Sequence, residues 1–265
     1  MESRNEKLAR LAQMEKDLAY HKLIVDTNKL SLNSSYGKLG SPYSYLYSPE
    51  LVIQTTLTGQ LAILMLIEKL TKLGAVIKSA NTDSVDVLRH ESIDNEISLA
   101  CYEWELETGY NLDDTPYLAK HSESVNSYVA ITPSGKVKGK GTFANESLMK
   151  SPSRQVCVDA VKSHFQIGSD IDGYIKSETN PHKFCTVKRV TGGAMFEGEE
   201  VGKMVRFYHS TKGGVLTYKK NCNKVPTSDG CRPMMNLPDT LPDDIDHDWY
   251  IKEAYSMLSK LGVNK

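Results

Sequence analysis

The chain has no Cys-x-x-Cys pair, and its five cysteines (Cys101, Cys157, Cys185, Cys222, Cys231) are an odd number. That argues against a disulfide framework and predicts reduced, mostly buried thiols in a cytoplasmic setting. Long apolar runs are also lacking. The longest, Leu61 to Ile67, is far too short to span a bilayer. The opening stretch MESRNEKLARL is polar and charged, unlike a signal peptide. There is no internal repeat and no low-complexity tract. From residue 3 to residue 36 there is neither glycine nor proline, so nothing there breaks a helix.

What is present fits a soluble globular chain: 265 residues, 40% hydrophobic and 25% charged. That length suggests one large domain or two modest ones. The net charge of −1 conceals an uneven distribution: residues 1–135 carry −6, residues 136–225 carry +8, and residues 226–265 carry −3. A positive middle block suits a polyanion, because phosphate contacts rest on Lys and Arg; a solvated surface is the plainer alternative.

Leu8, Leu11, Met14 and Leu18 recur at helical spacing, which predicts a helix, or two separated by a turn, ending at Gly37. Ser48-Pro49-Glu50 reads as the start of a second helix running to Gly74. Its stretch LAILMLIEKL is apolar nearly all round and predicts deep burial. Two β-type runs, Ala75–Ala80 and Val85–His90, flank Asn81-Thr82-Asp83-Ser84 as a hairpin with its polar groups at the turn. Ser92 is the expected cap of a helix ending near Gly109. A second hairpin turns at Pro133-Ser134-Gly135. Helices are expected around Arg154–Phe165 and Trp249–Leu261, with glycine-rich β-type runs between them.

Positions i, i+4 and i+7 share one helix face. Lys29, Asn33 and Tyr36 therefore align, with Lys22 one heptad earlier. Two ammonium groups, an amide and a phenol in a row suit a ligand with phosphates at one end and a flat ring at the other; a solvated face is the alternative. Asp83, at a tight turn, projects a rigid carboxylate of the kind a hard dication uses, although Asp and Ser are also ordinary turn residues.

These two motifs, in this order and separated by one long helix, resemble family B DNA polymerases. KLSLNSSYG, Lys29 to Gly37, is similar to motif B, K-x-x-x-N-S-x-Y-G. NTDS, Asn81 to Ser84, resembles motif C, D-T-D-S between two strands. VNSYVAI, Val125 to Ile131, sits where the family places K-x-Y, and GKVKGKGTF resembles the basic hairpin that follows it. VTGGAMFEGEEVGKMVRFYHS and PDDIDHDWYIKEA look like the C-terminal region of phage members. The resemblance covers nearly the whole chain.

It implies an α+β fold: a polymerase palm with an antiparallel sheet and packed helices, preceded by a fingers helix and followed by a mixed helical thumb. The implied parts are residues 1–37 (end of the fingers), 38–145 (palm) and 146–265 (thumb). It further implies that Lys29, Asn33 and Lys22 face the triphosphate of a dNTP and that Tyr36 borders the nascent base pair. Asp83 would be one of two aspartates holding two Mg²⁺ ions. Tyr128, Lys136, Lys138 and Lys140 would meet primer–template DNA. No membrane partner is expected.

The sequence departs from the family pattern in three places. Asn81 stands where the first motif C aspartate is usual. Asn126 replaces the lysine of K-x-Y and leaves only Tyr128. Motif A, which carries the other metal-binding aspartate, is absent: only 28 residues precede Lys29 and none resembles it. The exonuclease carboxylates are absent too. The expectation is therefore a C-terminal portion or subunit that polymerises DNA once an N-terminal chain supplies motif A and the exonuclease. The alternatives are a non-catalytic DNA-binding remnant and a nucleotidyltransferase of another family. Asp244, Asp246 and Asp248 mimic the start of a calcium loop, but Trp249 and Tyr255 occupy the positions that need Gly and Glu, so a solvated acidic turn is expected there.

Overall fold

The computed structural model describes residues 4–145, 147–148 and 151–263. The expected boundary after residue 145 falls at Glu146, outside the described residues. The chain forms two compact units, Met1–Leu112 and Asp113–Lys265. The architecture is α+β, with small antiparallel sheets.

The first unit opens with α1, Arg4–Leu39, 36 residues without a break. The helix passes through Gly37 and ends two residues later than that glycine predicts. Every side chain described from Arg4 to Lys38 is exposed. Its end is tied to the next element: Ser48 N donates to Leu39 O at 2.9 Å. The second helix, α2, spans Pro49–Lys72, with Ser48 in extended conformation at the N-cap and Gly74 at φ +90° beyond its end.

The expected deep burial of α2 is not what the structure shows. Only Leu66 and Leu70 are buried, while Leu51, Ile53, Leu57, Leu61 and Leu64 are exposed, Leu61 by 63%. The cause is a shortage of cover. The small core of this unit gathers Leu66, Leu70, Ala75, Ile97 and Trp104, all at the C-terminal half of α2 or on what packs there. By length and composition α2 is also apolar enough to cross a membrane, with mean hydropathy 1.5 over its most apolar window. The uninterrupted run Leu61–Ile67 understates this, because Thr and Gln punctuate the rest of the helix without adding charge.

Strands β1 (Val76–Asn81) and β2 (Ser84–Leu88) form the expected hairpin. A one-turn 3₁₀ segment, Glu91–Ile93, leads into α3, Asp94–Thr108. Ser92 lies inside that segment and does not cap α3. His90 caps the 3₁₀ segment, its Nδ1 accepting from Ser92 N at 3.2 Å, and α3 starts after Ile93 with no side-chain cap. The C-terminal end is where the sequence placed it, at Gly109 with φ +72°. Trp104 Nε1 donates to Ala62 O at 2.7 Å, pinning α3 to α2.

The second unit begins with a three-stranded antiparallel sheet in chain order: β3 (Ala119–Ser124), β4 (Ser127–Ile131) and β5 (Val137–Lys140). Then come α4 (Gln155–Ile167), α5 (Ile171–Ser177) and α6 (Pro181–Phe184). The long strands β6 (Thr186–Phe196) and β7 (Glu199–Gly214) are joined by Glu197-Gly198, both at positive φ, the pair a twisted two-residue hairpin requires. Short strands β8 (Thr217–Tyr218) and β9 (Cys231–Pro233) complete a sheet ordered β8-β6-β7-β9, and α7 (His247–Lys260) follows. The main core joins Val129, Phe143, Val161, Ile175, Phe184 and Tyr250.

Cys157, Cys185 and Cys231 are buried, and no disulfide is formed among the described residues. The acidic turn is less solvated than expected. Asp244 accepts from Tyr208 Oη at 2.8 Å, Ser210 Oγ at 2.8 Å and Arg232 Nη1 at 2.6 Å. Asp246 caps α7, accepting from Trp249 N at 3.0 Å. Their spacing serves packing.

Candidate nucleic-acid and nucleotide interface

In the first unit the candidate residues lie on α1 and at the β1–β2 tip. Asn81 pairs with Ser84 across the hairpin, leaving Thr82-Asp83 as a two-residue loop. Thr82 sits at φ +46°. That is the first loop position, where glycine is favoured and a β-branched residue is strained. Two hydrogen bonds hold the tip in this form. Thr82 Oγ1 donates to Asn81 Oδ1 at 3.1 Å, and Ser84 Oγ donates to Asn81 O at 3.1 Å. Asn81 therefore serves as a scaffold for the turn, and Asp83 stands exposed at its apex.

The nearest acid along β2, Asp86, lies opposite Ser79 and accepts a hydrogen bond from its hydroxyl. Among the described residues no three His, Cys, Asp or Glu side chains come together to hold an ion. A pair of Mg²⁺ ions needs several oxygen ligands. One carboxylate at a hairpin tip does not fit that requirement alone.

Lys22, Lys29 and Asn33 are exposed on α1, on the stripe that their spacing predicts. Tyr36 is engaged differently. Its hydroxyl lies 2.9 Å from Thr56 Oγ1, which donates its own hydrogen to Val52 O at 2.8 Å. Tyr36 is therefore the donor, and it fastens the end of α1 to α2.

The second unit carries the basic cluster. Lys138 and Lys140 alternate outward along β5, while Lys136 lies in the turn just before it, its backbone bonded to Thr132. The strand thus begins one residue later than a three-lysine strand requires, and two of the three ammonium groups share a face. Tyr128 on β4 pairs in register with Lys140. Lys120 Nζ lies 4.0 Å over the Tyr128 ring, and Lys138 Nζ 5.8 Å from the Tyr117 ring centre.

A cleft of about 410 Å³ runs along β5, lined by Tyr128, Lys136, Val137, Lys138, Gly139, Lys140, Asn145 and Lys162. Sequence reasoning missed Lys162, Asn145 and Lys120. Lys120 lies on β3, a strand whose sequence AKHSES has no apolar alternation to announce it. Lys162 arrives from α4, too far along the chain for any local pattern to reveal.

No protein-family model matches the chain, and no curated protein matches it.

Proposed function

We propose that this chain is the C-terminal part of a template-directed DNA polymerase of the family B type, adding deoxynucleotides to a primer 3′-hydroxyl. In this reading residues 1–37 end the fingers, 38–145 form the palm and 146–265 the thumb. Lys22, Lys29 and Asn33 meet the triphosphate of the incoming dNTP. Tyr36 borders the base pair and anchors the fingers helix. Tyr128, Lys136, Lys138 and Lys140 meet primer–template DNA. Asp83 is the carboxylate offered to the catalytic Mg²⁺ ions. A motif A segment outside these 265 residues supplies the remaining ligand.

The observation that carries this reading is Asp83 itself. It is an exposed carboxylate at the apex of a strained two-residue hairpin, in the same unit as the lysine and asparagine stripe. Strain of this kind collects at functional sites. A non-catalytic DNA-binding remnant is the second reading, favoured by the basic cleft of the second unit, which requires nothing from Asp83.

Primer extension separates the two. The chain alone, with Mg²⁺ and dNTPs, should be inactive and should gain activity when mixed with a chain carrying motif A. In that mixture Asp83→Asn should abolish extension with DNA binding retained, and Asn81→Asp should be tolerated. Robust extension by the isolated chain, or near-normal turnover by Asp83→Asn, would sink the proposal.

A further inference from the structure

We propose that Lys162 and the β5 lysines form a built phosphate-binding cleft for the backbone of duplex DNA, in which Lys162 is a binding residue in its own right. The inference rests on the DNA-binding part of the function proposed above and deepens it.

The cleft follows the free edge of the three-stranded sheet, since β5 is the outermost strand. Its lining contains four lysines and no acid. Lys162 reaches the strand across Gly139, where the nearby Phe143 backbone oxygen leaves no room for a larger residue. A Cβ at residue 139 would stand 2.6 Å from Lys162 Cε and 1.9 Å from Phe143 O. The ammonium group ends on a neutral partner, donating to Asn145 Oδ1 at 2.6 Å. The acid one turn away on α4, Asp159, is taken up by Lys183 at 3.0 Å and by Gln155 at 2.9 Å. Among the described residues no carboxylate pairs with Lys162. Burial lowers the Lys162 pKa, and the field of Asp159 offsets this only in part. A half-buried cation held by an amide gains most from an incoming anion.

The ligand chemistry is a phosphate carrying one or more negative charges. A single small site would take one free polyphosphate, whereas Lys138 and Lys140 on the strand and Lys136 in the turn before it extend the positive charge along the cleft, which matches a row of backbone phosphates.

Binding of a labelled primer–template duplex to the full chain, followed by fluorescence anisotropy over a salt series, tests this. Lys162→Gln should weaken binding about tenfold at low salt and reduce the slope of log K against log[salt] by about 0.9, the value for one phosphate contact. Lys162→Arg should keep the slope. Asn145→Asp, an exposed change that leaves the lysine stem in place, should neutralise the ammonium group and give a similar loss, which keeps the test valid if Lys162→Gln is unstable. Sodium tripolyphosphate should compete only as its ionic strength dictates. An unchanged slope in both folded variants overturns the cleft. Displacement by tripolyphosphate at low concentration, dependent on Lys162, overturns the backbone assignment in favour of a free polyphosphate. If the Lys162-dependent slope is present and primer extension fails with every partner, the cleft stands and the polymerase reading falls.

Discussion

The two units handle apolar residues in opposite ways. The second unit gathers aromatic side chains from sheet and helices into one continuous core, with Phe143, Phe184 and Tyr250 fully buried. Tyr250 binds it together: its hydroxyl donates to Phe184 O at 2.7 Å and accepts from His209 N at 2.9 Å. The first unit contains two long helices rich in Leu, Ile and Met, yet buries little beyond Leu66, Leu70, Ile97 and Trp104. Apolar content predicts burial only where other elements are available to cover it. The better-covered unit is also the one whose longer helices, α4 and α7, carry the clearer apolar face, whereas α1 and α3 have almost none.

The contrast can be broken most sharply by cavity formation. Phe184→Ala in the second unit should cost about 3–5 kcal/mol, whereas Leu61→Ala in α2 should cost under about 0.5 kcal/mol. Urea denaturation of both variants measures the gap. Equal costs would mean that α2 is covered after all.

Acid is the next lever, and in the second unit it acts through His209 and Asp244. Burial pushes the His209 imidazole down to about 4, opposed by its hydrogen bond to Asp229 O, and its ring stacks on Trp249. The neutral ring is the folded form, so its contribution is complete above the ordinary value of 6.5. As pH falls from there towards about 4 the unfolded chain takes up the proton first, and about 3 kcal/mol is lost. Burial alone would raise the Asp244 carboxyl, but hydrogen bonds from Ser210, Arg232 and Tyr208 hold it at about 2. Its contribution, about 2 kcal/mol, is present above 3.8 and disappears as pH falls towards 2. The urea midpoint should therefore drop in two stages, and His209→Gln should remove the upper one.

The smallest test sharpens the comparison within the first unit. Trp104→Phe keeps most of the apolar contact but removes the donor to Ala62 O, and should cost about 1 kcal/mol. A larger loss in a urea titration would show that this single hydrogen bond holds α3 against α2.

Elements marked by local chemistry were legible in the sequence. Pro49 and Glu50 opened α2, Gly109 closed α3 in the left-handed conformation, and the hairpin tip at Thr82-Asp83 emerged between its two strands. Features that depend on distant partners were not. Gly37 reads as a terminator, but one glycine costs only about 1 kcal/mol in a helix this long, and α1 runs on to Leu39. The exposure of α2 depends on what the rest of the unit fails to supply. Within the candidate site, Asp83 and the α1 stripe come from contiguous motifs, and their positions, a hairpin tip and one exposed helix stripe, could be read from local spacing. Lys162 enters by a close approach over Gly139 between segments 23 residues apart, which no periodicity encodes.

With no buried side chain described between Arg4 and Lys38, α1 is governed by helix–coil statistics and not by tertiary packing. Its 36 residues extend about 54 Å at 1.5 Å per residue. Once nucleated, such a helix persists through its length, each added residue closing one more hydrogen bond. Its helicity therefore changes gradually with temperature and solvent instead of in one step. Tyr36, bonded to Thr56, is where α1 is held to α2, so the geometry of the helix relative to the rest of its unit is set from its Leu39 end.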